Sequence, residues 1–150
     1  VGEKRELPKV EMKPVDETTP QFRNFHISNV YCNGAEKGIF VRGIPEMHVK
    51  DIVLENMVLQ ADKGIDIQEA TGISLKNIKI ISKETNPVID IIQSDKLLFD
   101  NISYKEGSEL LFRVSGDRTN GIRIKNTDAS KAKQSVVYEL GATEKAVTKE

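Results

Sequence analysis

Tryptophan is absent from this 150-residue chain, aromatic residues make up only 5% of it, and cysteine occurs once, as Cys32. Each scarcity removes a way of holding a fold together. Without large aromatic side chains an ordinary compact core would be thin, and one thiol cannot form an internal disulfide. Cys32 reads as a small buried hydrophobe or a loop thiol, because nothing near it in sequence nominates the base that a nucleophile needs. An excess of one charge is missing too: 22 Lys and Arg face 23 Asp and Glu, a formal net charge of -1 with pI near 6.2. That balance argues against nucleic acid or an anionic membrane as partners, since both call for a basic excess. No apolar run approaches the ~20 residues of a membrane-spanning helix. The opening residues, Val1-Gly2-Glu3-Lys4-Arg5-Glu6, lack the apolar stretch of a signal peptide. With no Met at position 1, the chain is expected to be processed or excised.

What is present is repetition. A short phrase, apolar, usually charged, Asn or Asp, then usually apolar, occurs five times: Phe22-Arg23-Asn24-Phe25, Val49-Lys50-Asp51-Ile52, Leu75-Lys76-Asn77-Ile78, Phe99-Asp100-Asn101-Ile102 and Ile124-Lys125-Asn126-Thr127. From one Asn or Asp to the next the steps are 27, 26, 24 and 25 residues. Such regularity implies a repeat architecture.

A second phrase follows each first one: Gly38-Ile39-Phe40-Val41, Gly64-Ile65-Asp66-Ile67, Val88-Ile89-Asp90-Ile91, Leu111-Phe112-Arg113-Val114 and Val137-Tyr138-Glu139-Leu140. These alternate inward and outward and are rich in β-branched or aromatic side chains, as short strands are. A leucine-rich repeat shares the period, and Val49 to Asn56 could pass for one, but it needs a helical or irregular return. Here the return is another strand. The expected fold is therefore all-β, a right-handed parallel β-helix of about five coils, each burying its apolar row against the coils above and below.

In chain order, residues 1–20 carry Pro8, Pro14 and Pro20 among Lys and Glu and read as an extended linker or a cap. The coils are expected over residues 21–141, with Phe22, Phe25 and Ile27 inward, a loop at Asn33–Lys37 and a turn at Gly43–Met47. Residues 142–150 read as a polar tail that frays or lies over the last coil. Stacked Asn and Asp side chains at one inward bend would form an amide ladder along the stack.

Taken together, these phrases resemble the right-handed β-helix of glycoside hydrolase family 28, the polygalacturonases and related pectinases. The stretch from Thr19 to Lys83, with its Gly43-Ile44-Pro45-Glu46-Met47 turn, looks most like the late coils of the bacterial members. The resemblance implies inverting hydrolysis of a galacturonan by an acid and a base set across the scissile bond. It also implies an extracellular or periplasmic protein. The family's catalytic motifs, an Asp-Asp pair and Gly-His-Gly among them, are absent, and His26 and His48 lie in neither setting. Arg123-Ile124-Lys125 and Asn126-Thr127-Asp128 match two family motifs in reversed order, but Ile124 to Thr127 is already the fifth copy of the structural phrase. No catalytic residue, metal or cofactor is therefore assigned.

The expected role is the C-terminal part of a galacturonan hydrolase, with catalytic coils upstream and these coils extending the substrate cleft. On the cleft-type strand the outward positions of successive coils read Phe40, Asp66, Asp90, Arg113 and Glu139. Asp66 and Asp90 would then be neighbours at ~5 Å, near the separation of a retaining glycosidase pair. A surface charge column in which Arg113 neutralises Asp90 and Glu139 explains the same residues. Arg42 and Arg113 are the candidates to pair with a uronate carboxylate, which makes Arg42, Asp66, Asp90 and Arg113 the candidate substrate-binding set. The alternatives are a non-catalytic β-helix module that binds saccharide, and a structural repeat that self-associates through an uncovered end coil.

Overall fold

A computed structural model of the chain describes residues 23–150. The expected linker or cap at residues 1–20, and Phe22, lie outside those residues. The described chain is a parallel β-solenoid of about five turns, with almost no helix. Its strands are β1 (Arg23–Arg42), β2 (Val49–Gln68), β3 (Ala70–Ser82), β4 (Ile89–Ile92), β5 (Asp95–Ser103), β6 (Ser108–Ser115), β7 (Asn120–Lys125), β8 (Ala132–Glu139) and β9 (Val147–Lys149). β1 lies on β2, and from β2 two stacks of rungs continue, one through β3, β5, β7 and β9 and the other through β4, β6 and β8. Every strand pairing is parallel.

Like residues stack on like residues. One inward row runs Ile52, Ile73, Leu97, Ile122 and Val147, and another Leu54, Leu75, Phe99 and Ile124. Across the coil, Ile39, Ile65, Ile89, Phe112 and Val136 form a third row, with Val41, Ile67, Ile91, Val114 and Tyr138 beside it. Ile67, Ile73, Leu75, Ile89, Ile91, Phe99 and Phe112 have no exposed surface, and each such side chain contributes ~1.5–3 kcal/mol by leaving water. The rows replace the aromatic core that the composition lacks.

The bends explain the Asn and Asp, and they correct the repeat register. Two columns of left-handed residues run up the stack: Asn24, Asp51, Gly72, Lys96 and Gly121, and, five residues later, Asn29, Asn56, Asn77, Asn101 and Asn126. Their φ values lie between 48° and 73°, a conformation that Gly and Asn tolerate better than other residues. The expected phrase aligned Asn77 with Asp51. In the structure Asn77 lies on Asn56 instead, because both columns favour Asn and the first loses its Asn and Asp after coil two. The ladder is also exposed rather than turned inward. Asn77 Nδ2 donates to Asn56 Oδ1 at 3.2 Å and Asn101 Nδ2 to Asn77 Oδ1 at 2.8 Å, while Asn126 Nδ2 turns to Asp100 Oδ1 at 2.8 Å.

One smaller expectation also differs, and the tail lies over the last coil. Asn33–Lys37 is no loop; it lies within β1, with a register shift between Asn33 and Ala35 absorbing the extra residue. Residues 142–150 include a short 3₁₀ turn, Glu144–Ala146, that buries Ala146, after which β9 pairs with β7 as the start of a further rung.

Candidate functional site

The candidate binding residues stand on the wall made by the C-terminal part of β1, the C-terminal part of β2, and β4, β6 and β8. Its strands are short because a left-handed residue, Glu69, Gln93, Gly116 or Leu140, follows each rung from β2 onward. Phe40, Asp66, Asp90, Arg113 and Val137 occupy one outward row. Asp66 and Asp90 are thus adjacent, as the spacing predicts. Glu139 is not the fifth member of that row: it lies in register with Ser115, two residues on, because β6 and β8 align Arg113 with Val137. The Arg113–Glu139 contact is nevertheless made on the diagonal, Nε to Oε1, at 3.6 Å.

Asp66 and Arg113 on this wall both meet protein groups. Asp66 Oδ2 lies 3.3 Å from Lys37 Nζ, and that ammonium also sits 4.0 Å from the centre of the Phe40 ring. Arg113 Nη2 donates to Asn86 Oδ1 at 3.1 Å. Arg42 is exposed and stands in the next outward row, opposite Gln68. Phe40 is half exposed. The wall therefore offers an aromatic face, two guanidinium groups and two carboxylates along neighbouring rungs ~4.8 Å apart.

A second polar cluster escaped the sequence reading. Glu69 is buried at the corner beyond β2, where Arg118 Nη2 donates to its Oε1 at 2.9 Å and to its Oε2 at 3.2 Å. His48 lies 2.9 Å from Glu69 Oε2 through Nε2 and 2.7 Å from Thr71 Oγ1 through Nδ1. Thr71 Oγ1 in turn donates to Asp95 Oδ1 at 2.6 Å. These groups spend their hydrogen bonds on one another and tie several rungs together across 49 residues of chain. No spacing within one coil hints at them; only the correct stacking register brings His48, Glu69 and Arg118 together.

The reversed motif ends in a structural cap. Asp128 accepts from the Ser130 amide and hydroxyl, which hold its carboxyl below the usual range, and so starts the short 3₁₀ turn Ala129–Lys131. Its carbonyl accepts the Tyr104 hydroxyl at 2.6 Å. Burial, and then the Asp128 charge, push the Tyr104 phenol above its ordinary value of 10.0. The fold thus favours the protonated phenol. This contribution is intact below pH ~10, where the unfolded chain also keeps its proton, and is lost as pH rises through the folded value. The urea midpoint is expected to fall above pH 10, and the fall should be shallower in Tyr104→Phe; equal slopes for the two proteins would contradict the assignment.

Among the described residues no three His, Cys, Asp or Glu side chains gather as a metal site, and no helix is long and apolar enough to cross a membrane. No protein family, curated protein or solved structure matches this chain.

Proposed function

We propose that these coils are the C-terminal part of an extracellular or periplasmic galacturonan hydrolase, in which they support and extend a cleft whose catalytic coils lie upstream. The observation that carries this reading is the outward row with Phe40, Asp66, Asp90 and Arg113 in register, flanked by Arg42. An acidic polysaccharide presents carboxylates at regular intervals, and guanidinium groups recognise carboxylates by paired hydrogen bonds. The exposed face of Phe40 gives a sugar ring an apolar surface.

The chain alone is expected to bind oligogalacturonate without cleaving it. In calorimetric titration with a defined oligogalacturonate, Arg42→Ala with Arg113→Ala should weaken binding by at least roughly 100-fold, at ~1.5–3 kcal/mol for each charge-assisted hydrogen bond lost. Identical affinity in the double variant, or no binding to the parent chain, would sink the proposal. One observation favours a second reading, a non-catalytic saccharide-binding or structural module: Asp66 and Arg113 already have protein partners in Lys37 and Asn86, as a self-satisfied surface charge column would. Hydrolysis by the chain that Asp66→Asn or Asp90→Asn abolished would count against that module.

A further inference from the structure

One cation on the outer wall has no counterpart in the candidate binding set. Lys37 precedes Phe40 in β1, and its Nζ donates to Asp66 Oδ2 at 3.3 Å while lying 4.0 Å from the centre of the Phe40 ring. It therefore bridges the first two members of the outward row. The side chains of Lys37 and Asp66 keep 28% and 27% of their surface in water, so an incoming ligand can touch both. An ammonium has three N–H donors, and among the described residues only Asp66 accepts from this one. Lys37 has donors to spare.

The charge of the row makes those donors matter. Arg42 beside the row and Arg113 within it stand against Asp66, Asp90 and Glu139, the last on the diagonal from Arg113. Two cations against three carboxylates leave a negative excess, which would repel an acidic polymer. Lys37 cancels it. Its place also suits the task, because a sugar ring laid against the exposed part of Phe40 brings its carboxylate within reach of an ammonium already held at that ring. The flexible lysine stem can turn from Asp66 to a ligand without moving the strand. Arg113 stands three rungs from Phe40, roughly 14 Å along the stack, and so would meet a different sugar of the same polymer.

We propose that Lys37 is the specificity-determining residue of this wall, holding the carboxylate of the sugar seated against Phe40 and so selecting an acidic saccharide over its neutral counterpart. The assignment rests on the saccharide reading and adds to it which side chain reads the charge.

The test is calorimetric titration of the full chain with an oligogalacturonate of fixed length and with its fully methyl-esterified form, which keeps the sugar rings and loses the charge. The parent should bind the acid at least tenfold more tightly than the ester. Lys37→Met keeps an apolar stem beside Phe40, so it should lose at least tenfold for the acid and nothing for the ester, which also shows that the wall is still folded. Lys37→Arg should keep the parent's preference. A parent that binds neither form would overturn the saccharide reading and this assignment with it. A preference for the acid that survives in Lys37→Met would overturn the assignment of Lys37 alone, and so would equal losses for acid and ester, since Lys37 would then only prop the Phe40 ring.

Discussion

Gly64→Ala should be among the most damaging small substitutions in this protein, at a cost of about 3 kcal/mol, the upper end of the range for forcing atoms into a packed interior. A Cβ there would lie 2.4 Å from the Val88 carbonyl oxygen and 3.1 Å from Ile80 Cγ2. The backbone oxygen cannot rotate aside, and its rung would have to move. That oxygen also accepts the Ile65 amide at 3.0 Å, so the displacement strains the first bond between β2 and the rung beneath it. Gly107 is the informative comparison. Nothing lies within 4 Å of a Cβ at Gly107, but its φ is +83°, so Gly107→Ala should cost only the ~1–2 kcal/mol of a left-handed L-residue. Thermal unfolding should then separate the two, with the Gly64 variant melting roughly 10 °C below the parent. Equal melting temperatures would mean that the rungs are not packed as closely as described.

Truncating either Phe99 or Phe112 to Ala should cost about 4 kcal/mol. Both are fully buried, and they come from opposite walls of the coil, β5 and β6, with ring centres 5.0 Å apart and planes at 74°. This edge-to-face pair joins two rings in a chain with few aromatic residues, and it holds the interior of the fourth coil across its width. A double-mutant cycle should return a coupling of ~1 kcal/mol, the amount such pairs contribute beyond their area. Additivity within ~0.3 kcal/mol in urea unfolding would show that the rings do not meet.

How much of this could be read from the chain depends on which force left a trace in the sequence. The solenoid could be read, because burial against the rungs above and below demands an apolar row in every coil, and Ile65-Asp66-Ile67 and Ile89-Asp90-Ile91 display it openly. Register was harder. Asn24 and Asn29 answer the same backbone requirement, a left-handed bend, so spacing alone slid from one column to the other between Asp51 and Asn77. The adjacency of Asp66 and Asp90 followed from the strand pattern, whereas Glu139 was misplaced because β8 begins far enough upstream to put Val137 beside Arg113. The Glu69 cluster left no local signal at all. His48, Thr71, Asp95 and Arg118 approach it from four separate places in the sequence, and each looks like an ordinary surface polar residue until the rungs are stacked.

The ladder of Asn29, Asn56, Asn77, Asn101 and Asn126 advances by 27, 21, 24 and 25 residues, yet its members stay aligned. Differences in coil length are therefore taken up mostly at the corners and connections, such as the Gly43–His48 turn and the link from β3 to β4, with one residue absorbed inside β1 between Asn33 and Ala35. Foreign peptides spliced into those connections would leave the strands in step, whereas a single residue inserted between Ile65 and Ile67 would turn the buried side chains outward. The molecule thus offers sites for grafting at its corners and almost none on its faces.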